Sequence, residues 1–202
     1  MPNADFFARI GLFVARDFFD AEQRAELLAE ARSAAGTPAT VGVGGDAYTV
    51  DENARRSKWA EVSAETVSSV KARLLTLRPA LESHFEVPLT DCQDPQFLVY
   101  REGDFFGAHR DSRRESEAAE FSKERRASVV VFLNGESEAP GPDVYGGGSL
   151  TFYGLMGDSR MEGYGLPLRG EPGLLVAFRP ELVHEVTPVT HGERYTIVTW
   201  FR

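Results

Sequence analysis

The chain is 202 residues long, enough to bury a sizeable core in one unit. Its 42% hydrophobic and 26% charged content are those of an ordinary soluble globular protein, and no stretch approaches the ~20 apolar residues of a membrane span. The net charge of −9 argues against a general nucleic-acid binder, and a single cysteine, Cys92, excludes both a disulfide framework and a cysteine-based metal site.

The N-terminal run has no basic segment followed by an apolar one, so no signal peptide is expected; with the lone cysteine this suits a cytoplasmic setting. Residues 6–19 read as a short strand leading into a helix. Asp20 is a good N-cap for a helix over residues 21–35, with Gly36 behind it and Leu27, Leu28 and Ala31 facing the core. Residues 40–44 form a candidate strand, and the polar run 51–59 reads as loop. Ser63 caps a second helix, whose apolar positions Val67, Val70, Leu74 and Leu77 follow helical spacing until Pro79 kinks or interrupts it.

After Pro88 the pattern changes to strands and loops. Strands are predicted over residues 97–100, 105–110, 127–133, 148–153, 165–168, 174–178, 182–189 and 194–201. Short strands at this spacing suggest a sandwich or barrel. Two long connections stand out, the charged 112–126 and the Gly- and Pro-rich 135–147. Neither has the apolar content of core, and a substrate is expected to enter between them.

The chemistry concentrates at the end of the second of these strands. Side chains alternate along a strand, so His109 and Asp111 point the same way and can grip one divalent metal. They cannot fill its coordination sphere. The other histidines are His84, His184 and His191, and His184 lies between Val183 and Val186 in an apolar strand. Two histidines and one carboxylate form the facial triad of non-haem Fe(II) oxygenases. Ten residues beyond His184 stands Arg194. A three-residue hairpin loop at Thr190–Gly192 would pair Pro188 with Arg194 and His184 with Val198. Arg194, Thr196 and Val198 would then lie inside, on the His184 side. A buried guanidinium needs a carboxylate, and no acid of the chain is obvious on that face.

The ordered set His109-x-Asp111, His184 and Arg194 resembles the iron(II)- and 2-oxoglutarate-dependent oxygenases, most closely their prolyl 4-hydroxylase-like branch, from about Phe97 to the C-terminus. The resemblance implies an α+β fold: a double-stranded β-helix (jelly roll) over residues 96–202, with residues 1–95 as a helical support, together one domain. It implies Fe(II), 2-oxoglutarate and O2 as cofactors, with ascorbate as a reductant. Fe(II) would be held by His109, Asp111 and His184. Arg194, with Thr196 beside it, would take the far carboxylate of 2-oxoglutarate. Tyr100, nine residues before His109, is either a co-substrate neighbour or a core aromatic at a strand end. Gly146-Gly147-Gly148-Ser149-Leu150 resembles the family's glycine entry into a core strand. Arg55 and Arg56 resemble a basic motif on the substrate side; a solvated charged loop is the other reading. The activity implied is hydroxylation of a C–H bond, of a prolyl residue in a peptide or protein, or alternatively of a free amino acid or other small molecule. A cupin-like metal-binding or sensing protein without turnover is the alternative of another class; it has no need of Arg194 inside the barrel. Nucleic-acid and membrane partners are not expected.

Overall fold

The computed structural model describes residues 4–44, 47–112, 124–155 and 163–202. The helices are α1 (Ala4–Arg9), α2 (Ala21–Ser33), α3 (Ala64–Leu75) and α4 (Arg78–Phe85). They start where the capping residues stand. Asp20 accepts from the Gln23 amide at 2.9 Å while its own N–H donates to Gln23 Oε1, closing a capping box on α2. Ser63 accepts from the Thr66 amide at the start of α3. Pro79 falls in the first turn of α4, where its missing N–H is harmless, so the apolar periodicity of α3 is broken into two helices. No described helix is long and apolar enough to cross a membrane.

The strands from the N-terminal part are β1 (Phe13–Ala15), β2 (Gly36–Pro38), β3 (Val41–Gly44), β4 (Ala47–Thr49), β5 (Arg55–Arg56) and β6 (Lys58–Ala60). Then come β7 (Gln96–Tyr100), β8 (Phe105–His109), β9 (Ala127–Phe132), β10 (Gly135–Glu136), β11 (Val144–Gly147) and β12 (Leu150–Tyr153). The last are β13 (Gly165–Leu168), β14 (Leu175–Phe178), β15 (His184–Val186), β16 (Val189–Gly192) and β17 (Arg194–Phe201).

Two mainly antiparallel sheets face each other in the expected jelly-roll manner. One has the order β1-β14-β9-β17-β7-β6-β2, the other β13-β12-β15-β8-β5; β10-β11-β16 and β3-β4 form smaller ones. The interior strand β9 is Val-rich and buried at every position, because both its faces are covered. Alternation on the larger sheet divides the interior in two. Tyr195, Ile197 and Phe201 of β17, with Val129 and Val131 of β9, pack under the helices against Leu28, Val70, Leu74, Leu81 and Phe85. Tyr100, Val130, Phe132, Val176 and Phe178 point the other way, against Leu150, Phe152 and Val186 of the smaller sheet. The site lies in this second layer.

Four expectations change. Residues 6–19 carry a helix before a strand, and β1 pairs with β14. The run 51–59 is not loop: β5 pairs with β8 and β6 with β7. The N-terminal part is therefore more than a helical support, since it adds strands to both facing sheets. Residues 135–147 include β10 and β11, and Tyr145 there is fully buried; their packing is with β16 near Arg194, not at the His109 end. Finally, residues 182–189 are not one strand. The chain leaves β15 and enters β16 in a different sheet, and β17 pairs with β7 and β9, so the proposed hairpin register between His184 and Val198 does not exist. Gly192 is left-handed, φ 71°, as that hairpin required, but it serves the step from β16 into β17 across to the larger sheet. Most of the 112–126 connection lies outside the described residues.

Candidate metal and co-substrate site

His109 closes β8 and His184 opens β15, and the two are direct partners across the sheet. Asp111 follows two residues after His109, its amide donating to Pro180 O at 2.8 Å. One ligating atom from each of His109, Asp111 and His184 falls within a 4.8 Å span, the only such trio among the described residues. Asp111 Oδ1 is 3.6 Å from His109 Nε2, and Asp111 Oδ2 is 3.7 Å from His184 Nε2.

The backbone settles the tautomers. His109 Nδ1 lies 2.9 Å from Gly107 O, and His184 Nδ1 lies 2.9 Å from Leu182 O. A carbonyl can only accept, so each Nδ1 carries the proton and each Nε2 turns its lone pair to the cluster. Burial pushes His184 down to about 4, with His109 adding to the effect, so it is neutral at pH 7. Burial alone would raise the Asp111 carboxyl, but His184 and His109 outweigh it and hold the group well below the usual carboxylate range. Two imidazole Nε2 atoms and one desolvated carboxylate are the donor set for one divalent cation.

An irregularity in β8 shapes the surroundings. His184 pairs with His109, but Val186 pairs with Phe106, so β8 carries one extra residue there. Phe106 and His109 thereby share a face and stack, ring centroids 3.5 Å apart at 16°. Arg55, buried on β5, lies over the Phe106 ring at 4.6 Å and is fixed by Ser57 Oγ at 2.7 Å and Thr40 O at 3.2 Å. Arg56 is not brought to the cluster. It is exposed, bonded to Glu52 O, over Phe105 on the outer face.

Arg194 is 1% exposed, deep between the facing sheets. Its guanidinium lies 5.1 Å from the ring centroids of both Tyr100, its cross-strand partner, and Phe132. Nη1 donates to Thr196 Oγ1 at 3.2 Å, and Nε has no partner among the described residues. No described carboxylate pairs with it; neighbouring Glu193 is engaged by Arg101 and the Tyr195 hydroxyl. An unpaired buried cation is costly, so the pocket fits an anionic ligand, and a guanidinium favours a carboxylate. Arg194, Tyr100 and Thr196 are thus together in one pocket.

Three site residues escaped the sequence reading. Arg125 donates to Asp111 O at 3.0 Å and to Gln93 Oε1 at 3.1 Å, and lies 3.7 Å over the Trp200 ring. Trp200 shares the parity of Arg194 and Thr196 on β17, a signal that was available. Arg125 stands just before β9 at the end of a charged run, and nothing local marks it. Tyr145 belongs to a segment read as loop, although Val144-Tyr145 is strand-favouring.

The family model for the 2OG-Fe(II) oxygenase superfamily matches residues 95–202. A PKHD-type hydroxylase of Burkholderia lata is 33% identical over 109 residues, 54% of this chain and 42% of that protein. One from Shewanella sp. (strain ANA-3) is 30% identical over 160 residues, 77% and 62% of the two chains. The chain spans about half the length of the curated relatives it matches. Among solved structures, a Pseudomonas putida prolyl-4-hydroxylase is similar over 98% of this chain and 96% of its own, at a TM-score of 0.70 and 26% identity. A Trichoplax adhaerens prolyl hydroxylase, solved with a hypoxia inducible factor peptide, shares the fold at a TM-score of 0.70 and 17% identity, over 98% and 86%.

Proposed function

Because the chain belongs to the 2OG-Fe(II) oxygenase superfamily, we propose that it is an Fe(II)- and 2-oxoglutarate-dependent dioxygenase that hydroxylates an unactivated C–H bond of a prolyl residue in a peptide or protein. The observation that carries this is the pairing of the His109, Asp111 and His184 cluster with a buried, acid-free Arg194 between the same two sheets. His109, Asp111 and His184 would hold Fe(II) through two Nε2 atoms and a carboxylate. Arg194 and Thr196 would receive the far carboxylate of 2-oxoglutarate, with the Tyr100 ring packed beside the guanidinium. When bound, this set supplies the oxidation: O2 and 2-oxoglutarate are consumed, one oxygen atom enters the substrate C–H bond, and succinate and CO2 leave. Ascorbate is the expected reductant for keeping the iron ferrous.

The protein's own part is positioning and exclusion of water. Phe106, Phe152 and Phe178 surround the histidines with apolar edges and faces. Trp200, held under Arg125 beside Asp111, offers a flat indole wall of a size suited to a prolyl ring. The substrate side is therefore assigned to Arg125 and Trp200, with Arg55 over Phe106; Arg56 is left out of it. The names of the relatives support a hydroxylase, and that of the Pseudomonas putida structure supports the prolyl assignment. Since β1, β2, β5 and β6 enter both facing sheets, the span 1–202 is read as one catalytic domain. The single buried Cys92 and the net charge of −9 support a reducing, cytoplasmic setting without nucleic-acid or membrane partners.

The test is mass spectrometry of proline-containing peptides, and of free L-proline and other amino acids, after incubation with Fe(II), 2-oxoglutarate and O2. A gain of one oxygen on prolyl peptides is the expected result. A gain confined to free small molecules would reassign the substrate, and metal binding with no turnover on any of them would favour a binding or sensing role.

A further inference from the structure

We infer that Tyr145 is a second hydrogen-bond donor, beside Arg194, to the distal carboxylate of the 2-oxo acid; this rests on the co-substrate reading proposed above. Tyr145 sits on β11 and is fully buried. Among the described residues its hydroxyl has no partner at hydrogen-bonding distance and angle, and neither has Arg194 Nε, although the guanidinium is close enough to act on the phenol. The two side chains are neighbours: a β-carbon placed on Gly148 would lie 3.0 Å from Arg194 Cδ and 3.3 Å from Tyr145 Cε2. On the other flank a β-carbon on Gly170 would overlap Tyr145 Oη and come within 2.8 Å of Phe132 Cδ1. Glycine at 148 and at 170 thus leaves the room that the phenol occupies, against the guanidinium and the Phe132 ring on which it rests.

Two orphaned polar groups in one dry pocket are costly in the empty protein. The phenol oxygen can accept from a guanidinium N–H, but a guanidinium accepts nothing, so the phenol's own O–H still needs an acceptor. A carboxylate has two oxygens and can accept from both at once. Burial pushes the Tyr145 phenol up to about 12, partly countered by Arg194, so it keeps its proton at neutral pH and remains a donor. Arg194 then supplies charge, and Tyr145 the direction.

The experiment is calorimetric titration of Fe(II)-loaded protein, kept free of oxygen, with 2-oxoglutarate and separately with pyruvate, which has the same 2-oxo acid head and no distal carboxylate. Wild type, Tyr145→Phe and Arg194→Met are compared. Tyr145→Phe is expected to weaken 2-oxoglutarate binding roughly tenfold or more, the size of one hydrogen bond to a charged group, and to leave pyruvate binding unchanged. Its melting temperature without ligand should match or exceed that of wild type, because an unpaired buried hydroxyl is removed. Equal weakening of both acids would make Tyr145 merely structural and overturn the inference. So would wild-type affinity for 2-oxoglutarate in Tyr145→Phe when Arg194→Met is weakened. If Arg194→Met also binds like wild type, the co-substrate reading falls as well.

Discussion

A histidine is oriented as a ligand here because a carbonyl two residues earlier accepts a hydrogen bond from its Nδ1–H. The bonds from His109 to Gly107 O and from His184 to Leu182 O fix both Nε2 lone pairs at one point. Replacing His184 by Ala is expected to abolish stoichiometric Fe(II) binding, measured by metal analysis after desalting, together with turnover; full iron content would remove His184 from the site. Arg194→Lys keeps a charge but loses the fork that suits a carboxylate. It is expected to weaken 2-oxoglutarate by about 2–5 kcal/mol, with little change in the peptide KM at saturating co-substrate. Trp200→Ala should do the reverse, lowering kcat/KM for a prolyl peptide about thirtyfold, roughly 2 kcal/mol, while the KM for 2-oxoglutarate holds. The convergence of His109, Asp111 and His184 and the burial of Arg194 were legible in the sequence because each is a chemically costly residue at or just past the end of a strand-like run. Arg125 and Tyr145 were not, because what marks them is a partner far away in the chain: Trp200 for one, Arg194 for the other.

At the scale of elements, parity was legible and partnership was not. Alternation along β17 correctly predicted that Arg194 is internal, yet the hairpin used to argue it is absent. The step at Thr187-Pro188 sends the chain to another sheet, with Gly148 N donating to Pro188 O, and local periodicity is silent on which sheet a strand joins. Short strands such as β5, two residues long, leave no periodicity to read. The caps at Asp20 and Ser63 were legible because they are local chemistry. A long-range tie joins those helices: Glu30 of α2 accepts from Ser63 N at 2.7 Å and Thr66 Oγ1 at 2.6 Å. The Ser63 amide first, then the Thr66 hydroxyl, hold the Glu30 carboxyl below its ordinary value. Because the group is largely solvated, Glu30→Gln should cost only about 1 kcal/mol at neutral pH, roughly 2–4 °C in Tm. A carboxyl that titrates lower in the folded state stabilises above its unfolded pKa, and that stability is lost as the pH falls through the folded one. The two proteins should therefore converge in thermal melts under acid conditions; a gap that persists in acid would show that the charge is not what matters.

Across the whole molecule, the two facing sheets hold the His109, Asp111 and His184 cluster and the buried Arg194 pocket, while α2, α3 and α4 cover the opposite face of the larger sheet and Phe7 of α1 packs into the interior layer. A sandwich or barrel was readable from strand spacing after Pro88, and the jelly roll only from the family resemblance, whereas the strands contributed by residues before 95 were hidden in polar runs such as 51–59. The division of labour we propose puts metal and substrate at the His109, Asp111 and His184 cluster and anchors the co-substrate at Arg194. Its most direct test is incubation of the Fe(II)-loaded protein with a prolyl peptide, 2-oxoglutarate and isotopically heavy O2, followed by mass spectrometry of the peptide and quantitation of succinate. The expected result is one heavy oxygen atom in the prolyl residue for each succinate formed, lost when either Fe(II) or 2-oxoglutarate is omitted. Peptide oxidation that proceeds without 2-oxoglutarate, or iron binding with neither succinate nor labelled product from any substrate tried, would contradict it.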